Sequence, residues 1–98
     1  MLKLNITPKV ESDLIGIWMY TCEEWGVDQA DKYLDQLETG MKQLINHSSL
    51  GTNYAHVLPG YRRLQVEHHA VFYQMLDPDV LVVRVLHEDM DAPVRLLD

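Results

Sequence analysis

An arginine and a histidine three residues apart, Arg84 and His87, sit in the stretch "VLVVRVLHEDMD" at residues 80–91, with Glu88, Asp89 and Asp91 directly after them. A guanidinium can neutralise a phosphate or a carboxylate, and an imidazole with an ordinary pKa near 6.5 can exchange a proton at neutral pH. The pair therefore has the composition of a phosphate-stabilising and acid–base site. It has the composition of a binding surface as well. An arginine inside an apolar run needs a specific partner, or else a surface position where its stem covers apolar neighbours. The acids beside His87 favour a charged, hydrogen-bonded ring, which suits a bond to the tail or a contact with a partner.

Other residues with chemical potential have weaker patterns. Arg62 and Arg63 are adjacent on a strand-like segment, so they point to opposite faces and cannot both serve one site. They suit a charged edge that discourages strand-to-strand aggregation, or one of them joins Arg84 in a basic patch. His68 and His69 look like a metal pair, but no Cys or His stands at a ligand spacing from them, and no metal or other cofactor is expected. Cys22 lies within a helical pattern, where a buried thiol is the expected state. Trp18, Trp25 and Tyr33 have the spacing of hairpin-core residues. The chain has no phosphate loop, dinucleotide fingerprint or nucleophile elbow.

The elements that position these residues can be read along the chain. "LKLNI" alternates as a short strand, with Leu2, Leu4 and Ile6 on one face. A helix follows, capped by Thr7, with Pro8 in its first turn and Gly26 as its stop. Val10, Leu14, Ile17, Trp18 and Trp25 form its apolar stripe. A second helix is expected to start at Asp28 as its cap, with Asp31 three residues on, and to bury Ala30, Leu34, Leu37, Met41, Leu44 and Ile45. So short a link makes the two helices antiparallel neighbours. Residues 47–60 read as a long loop ending in a Pro59–Gly60 turn. Three strand-like runs follow, "YRRLQVE", "AVFYQML" and "VLVVRVLH", joined by short hairpin links, and "MDAPVRLLD" forms a tail with a short final turn or helix.

This order predicts an α+β fold, in which an α-hairpin packs on a mainly antiparallel sheet. Alternation along the last run places Leu81, Val83, Val85 and His87 on one side and Val80, Val82, Arg84 and Leu86 on the other. Arg84 is thereby expected on the face that the helices leave uncovered.

Bulk properties narrow the function. Ninety-eight residues, 47% hydrophobic and 23% charged, suit one folded domain spanning 1–98. A formal net charge of −7 argues against affinity built on neutralising nucleic-acid phosphates. With one cysteine there is no internal disulfide framework, and no segment reads as a signal peptide or a membrane span. A cytoplasmic location is the expectation.

The segments "GYRRLQVEHHAVFYQM" and "VVRVLHEDMD", with the helix end "EEWG" (Glu23 to Gly26), resemble the ParE branch of the RelE/ParE toxins of bacterial toxin–antitoxin modules. The features in common are the strand start Tyr61-Arg62-Arg63, the middle strand His69-Ala70-Val71-Phe72-Tyr73, and the ending Arg84-Val85-Leu86-His87-Glu88-Asp89-Met90-Asp91. The resemblance implies a RelE/ParE-like domain: a short N-terminal strand, an α-hairpin and a three-stranded antiparallel meander. It implies a toxin that binds DNA gyrase and blocks replication without being an enzyme. A ParD-like antitoxin would neutralise it through a disordered arm that folds on binding.

The sister RelE branch consists of ribosome-dependent messenger RNA nucleases, and Arg84 with His87 keeps that alternative open. Against it, the chain has no tyrosine after Tyr73 and lacks the basic charge that docking on ribosomal RNA favours. The surface expected to bind the target combines Arg84, His87, Met90, Asp91 and Arg95 with Arg62 or Arg63.

Overall fold

The computed structural model describes residues 3–97. Its elements are β1 (Leu4–Ile6), α1 (Pro8–Trp25), α2 (Val27–Asn46), β2 (Thr52–Asn53), β3 (Arg62–Val66), β4 (His69–Leu76), β5 (Asp79–His87) and α3 (Ala92–Leu96). The strands form one sheet in the order β1-β5-β4-β3-β2, with β1 parallel to β5 and every other pair antiparallel. The α+β hairpin-on-meander architecture is therefore present, on a wider sheet than three strands. β1 adds a parallel edge, and β2 forms within the segment expected to be loop. Leu2, placed by alternation on the first strand, lies outside the described residues. Among the described residues, no helix is long and apolar enough to cross a membrane.

Local chemistry explains the element ends. The Thr7 hydroxyl accepts from the Val10 amide, and Pro8 opens α1. Thr7 also ties the helix start to the sheet, since its amide donates to Val82 O and its hydroxyl to Val83 O at 2.8 Å. Gly26, at φ 93°, ends α1 and directly precedes α2, a conformation that glycine adopts without a Cβ penalty. The second helix thus starts at Val27, one residue before the expected Asp28 cap, and its N-cap position, Gly26, has no side chain to cap it. Asp31 does not complete a capping box; it accepts from the Trp18 indole N–H at 2.8 Å and cross-links the hairpin.

The main core lies between the hairpin and the sheet. Val10, Met41 and Leu44 from the helices meet Val71, Tyr73, Val80, Val82 and Val85 from β4 and β5. Gly40, in the interior of α2, is there because Val66 leaves it no room: an added Cβ would come within 2.7 Å of a Val66 methyl. The alternation expected for β5 fails in its middle. Phe72 pairs with Arg84 while Tyr73 pairs with Val82, so Val83 is an extra residue and the strand reverses its parity there. Val80, Val82 and Val85 consequently share the helix-side core, whereas Leu86 turns to the other face.

That other face is not open. Ala70, Phe72 and Leu86 form a second buried cluster under Tyr54 and Tyr61 of the loop and Ala92 and Leu96 of α3. The tail thus returns across the sheet and closes it.

The connection after α2 is held by a buried tyrosine. The Tyr73 hydroxyl donates to Ser48 O at 2.8 Å and accepts from the Gly51 amide at 2.9 Å. A Cβ at Gly51 would meet that hydroxyl and Arg63 O at 2.7 Å, so only glycine fits. Tyr73→Phe leaves an amide and a carbonyl unsatisfied in a buried place, and should destabilise the protein by about 1–3 kcal/mol in urea unfolding. Unchanged stability would show that the segment 48–51 is held by other means.

Candidate functional site

The site is built where α1 runs past the end of β1. β1 pairs with β5 only from Val80 to Val82, so the following β5 backbone needs other partners on that edge. The Asp13 carboxylate, on α1, supplies one by accepting from the Val85 amide at 3.0 Å. The same carboxylate binds the Arg84 guanidinium through two bonds, Nε at 2.8 Å and a terminal nitrogen at 2.9 Å. Both side chains are largely buried, at 15% and 13% exposure. The other terminal nitrogen of Arg84 donates to Arg95 O in α3 at 3.2 Å. Arg84 lies on the face away from the α-hairpin, as expected, but α3 covers that face, so Arg84 is not a free surface cation. Its partner is a helix carboxylate 71 positions away in sequence.

Beside this pair a groove of about 660 Å³ opens between α1 from Ser12 to Trp25, the C-terminal half of β5 and the β3–β4 turn. Ile17, Tyr20, Trp25, Tyr33, Leu86 and Met90 give it apolar and aromatic walls. Trp25 and Tyr20 are 74% and 64% exposed, so Trp25 is not the core residue its spacing predicts. Ile15 and Met19, also exposed, continue the apolar surface over the outside of α1. A helix that packs on one side only has no need of such a second stripe.

Histidines form one end of the groove. The Tyr33 hydroxyl accepts from the His68 amide at 3.1 Å and lies 2.6 Å from His69 Nδ1. The hydroxyl can accept from the amide and donate a hydrogen bond to Nδ1 together, the arrangement in which His69 is neutral with its proton on Nε2. Burial, followed by the neighbouring His87 and His68 rings, lowers the His69 pKa to about 4, against weaker opposing pulls from Glu88 and Asp13. Burial also raises the Tyr33 pKa, with Glu67 and Glu88 adding to it and the His68 bond opposing it. His87 packs its ring edge-on to His69, with centroids 5.3 Å apart, and its Nδ1 lies 3.2 Å from the Asp89 amide. Among the described residues, no three His, Cys, Asp or Glu side chains are placed to hold a metal ion.

The residues singled out from sequence fall into three places. Arg84, His87, Met90 and Arg95 line the groove. Arg63 and Asp91 line a smaller cleft of about 280 Å³ on the opposite face of the sheet, which His87 and Met90 also border. Arg62 belongs to neither. Its guanidinium is committed to Ser49 O and Gly51 O, and its Nε is buried without a hydrogen-bond partner among the described residues. Arg62 and Arg63 do serve different faces, since they pair with Tyr73 and Phe72 respectively. Sequence reasoning missed the entire α1 wall and Tyr33. The legible signal was the excess of apolar residues around α1, at Ile15, Met19 and Tyr20, outside the stripe assigned to the core.

An α-hairpin packed on this mixed sheet, with a groove between helix and strand edge, is an architecture shared with known proteins, and comparison with them identifies the family. Residues 4–92 match the family described as "ParE toxin of type II toxin-antitoxin system, parDE". Toxin ParE1 of Mycobacterium tuberculosis is 36% identical over 92 residues, covering 93% of this chain and 94% of the relative. Toxin ParE of Escherichia coli is 37% identical over 94 residues, or 95% and 91% of the two chains. Toxin ParE1 of Caulobacter vibrioides is 32% identical over 96 residues, or 98% and 99%. In fold, the chain matches a structure of the chromosomal ParDE toxin–antitoxin system from P. aeruginosa with a TM-score of 0.80, at 21% identity and covering 89% of this chain and 96% of that one. The chain belongs to the ParE toxin family of type II toxin–antitoxin systems.

Two predictions concern the site's physics. Asp13→Ala removes the carboxylate that the largely buried Arg84 and the Val85 amide share, and should cost about 3–5 kcal/mol in denaturant unfolding. The double variant Asp13→Ala/Arg84→Met should recover the part due to Arg84 while the Val85 amide still lacks its acceptor, and no recovery would refute the pairing. The second follows from His69, whose folded pKa lies below its value of 6.5 in the unfolded chain. The unfolded state takes up the proton first, so the His69 contribution is complete above pH 6.5 and is lost as pH falls toward 4. His69→Gln should flatten thermal stability across that window relative to the parent; parallel pH profiles would contradict it.

Proposed function

We propose that this ParE-family toxin acts by binding DNA gyrase and blocking replication, without making or breaking covalent bonds. We further infer that a ParD-type antitoxin neutralises it by laying an arm into the groove beside α1. The observation that carries this reading is the groove itself, whose exposed aromatic and apolar residues resemble an unfilled core and whose central charges, Asp13 and Arg84, already satisfy each other. Such a surface favours an amphipathic segment that folds as it binds. The kinship with ParE toxins supports gyrase as the target.

The same geometry weighs against catalysis. Arg84 would have to leave a bidentate carboxylate to stabilise a phosphate. The ribonuclease alternative retains one point in its favour, that Arg84 and His87 border the same groove. Purified toxin titrated into a gyrase supercoiling assay should inhibit supercoiling and trap cleaved DNA, and full supercoiling at every dose would sink the proposal. In a translation extract the toxin should leave messenger RNA intact; cleavage that His87→Ala abolishes would establish the nuclease instead.

A further inference from the structure

Four of the five glycines have a reason to be glycine inside this chain, and one does not. Gly26 and Gly60 adopt positive φ, and Gly40 and Gly51 have neighbours that a Cβ would strike at 2.7 Å. Gly16 lies in the middle of α1, is exposed, and would meet nothing within 4 Å if a Cβ were added. A glycine there weakens the helix, and no turn or internal contact requires it. It does lie in the wall of the groove, on the same side of α1 as Ser12 and Tyr20. The wall is notched at that point down to the helix backbone.

Resting on the reading of the groove as the antitoxin's seat, we propose that Gly16 is the residue that selects the arm, its notch receiving one bulky apolar side chain of the antitoxin against the α1 backbone. The occupant's charge can be stated too. Arg95 borders the groove, and its guanidinium has no ionic partner among the described residues, while Asp13 and Arg84 neutralise each other. The arm that fits therefore carries an apolar anchor over Gly16 and a carboxylate that reaches Arg95. On a chain with a net charge of −7, that carboxylate is drawn to Arg95 by its immediate surroundings and not by the overall field. An anchor in a pocket with a charged contact at the rim is the usual division between affinity and specificity at interfaces.

The test uses a fluorescently labelled peptide, the carboxyl-terminal arm of the ParD-type antitoxin proposed above, titrated into the full chain by fluorescence anisotropy. Gly16→Ala should raise the Tm of the free toxin by about 4–8 °C, as expected for relieving an exposed helix glycine in a domain of this size. It should nevertheless weaken arm binding about tenfold, and Gly16→Leu about a hundredfold. Arg95→Gln should lose a smaller factor together with much of the salt dependence. Gain of stability with loss of binding is an outcome that general misfolding cannot produce. If the parent binds the arm and Gly16→Leu binds it equally well, the notch is overturned and the groove reading stands. If the parent fails to bind the arm, the groove reading falls and takes the notch with it. A free toxin that dimerises, with Gly16→Leu making it monomeric, would assign the notch to a second copy and overturn the proposal.

Discussion

The Asp13 carboxylate holds together parts of the chain that no local preference would join. It accepts two bonds from Arg84 and one from the Val85 amide, all between 2.8 and 3.0 Å. Through the Val85 amide, α1 takes over the sheet edge where β1 stops. Through Arg84 it reaches Arg95 O, so the C-terminal turn is anchored to the same point. A largely buried ion pair gains little over apolar packing in net stability, because desolvation offsets most of the attraction. Its value here is positional. It ties α1 to β5 beside the groove that both elements line.

The bulge at Val83 works with this pair. Without the extra residue, Arg84 and Val85 would exchange faces, and the valine would leave the core for the groove side. With it, β5 supplies Val80, Val82 and Val85 to the helix-side core and still presents Arg84 to Asp13 at the edge. Tyr33 performs a related task at the other end of the groove, where α2 grips the β3–β4 turn through the His68 amide and His69 Nδ1. Glu67, at φ 53°, holds that turn in a conformation unusual for a residue with a side chain, and the Glu88 amide adds a further bond to His68 O. Both ends of the site are thus tied by hydrogen bonds while its walls are apolar, which suits an occupant that orders itself against a preformed surface.

Exposed apolar area distinguishes the two sides of α1. The inner stripe, with Val10, Leu14 and Ile17, fills the core, and the outer residues Ile15, Met19 and Tyr20 remain in solvent. Leaving such residues exposed gains nothing for the folded chain alone. Their presence next to the groove is consistent with a family whose members belong to type II toxin–antitoxin systems.

The element order, the Thr7 cap, the Gly26 break and the meander were legible from the chain, because capping, turn residues and hydrophobic period act over a few residues. The resemblance of "YRRLQVEHHAVFYQM" and "VVRVLHEDMD" to ParE toxins also lay in local strings, and the comparisons bear it out. The partner of Arg84 did not, since Asp13 is 71 positions away and carries no mark that sets it apart from the other acids. Nor did the side of the sheet on which each β5 residue lies, because a single bulged residue reverses parity and leaves no trace in composition. The covered back face and the exposed Trp25 were decided the same way. Sequence determined which segments are helix and strand, and only the packed chain determined which of their faces meet, because that choice is made by contacts between residues far apart.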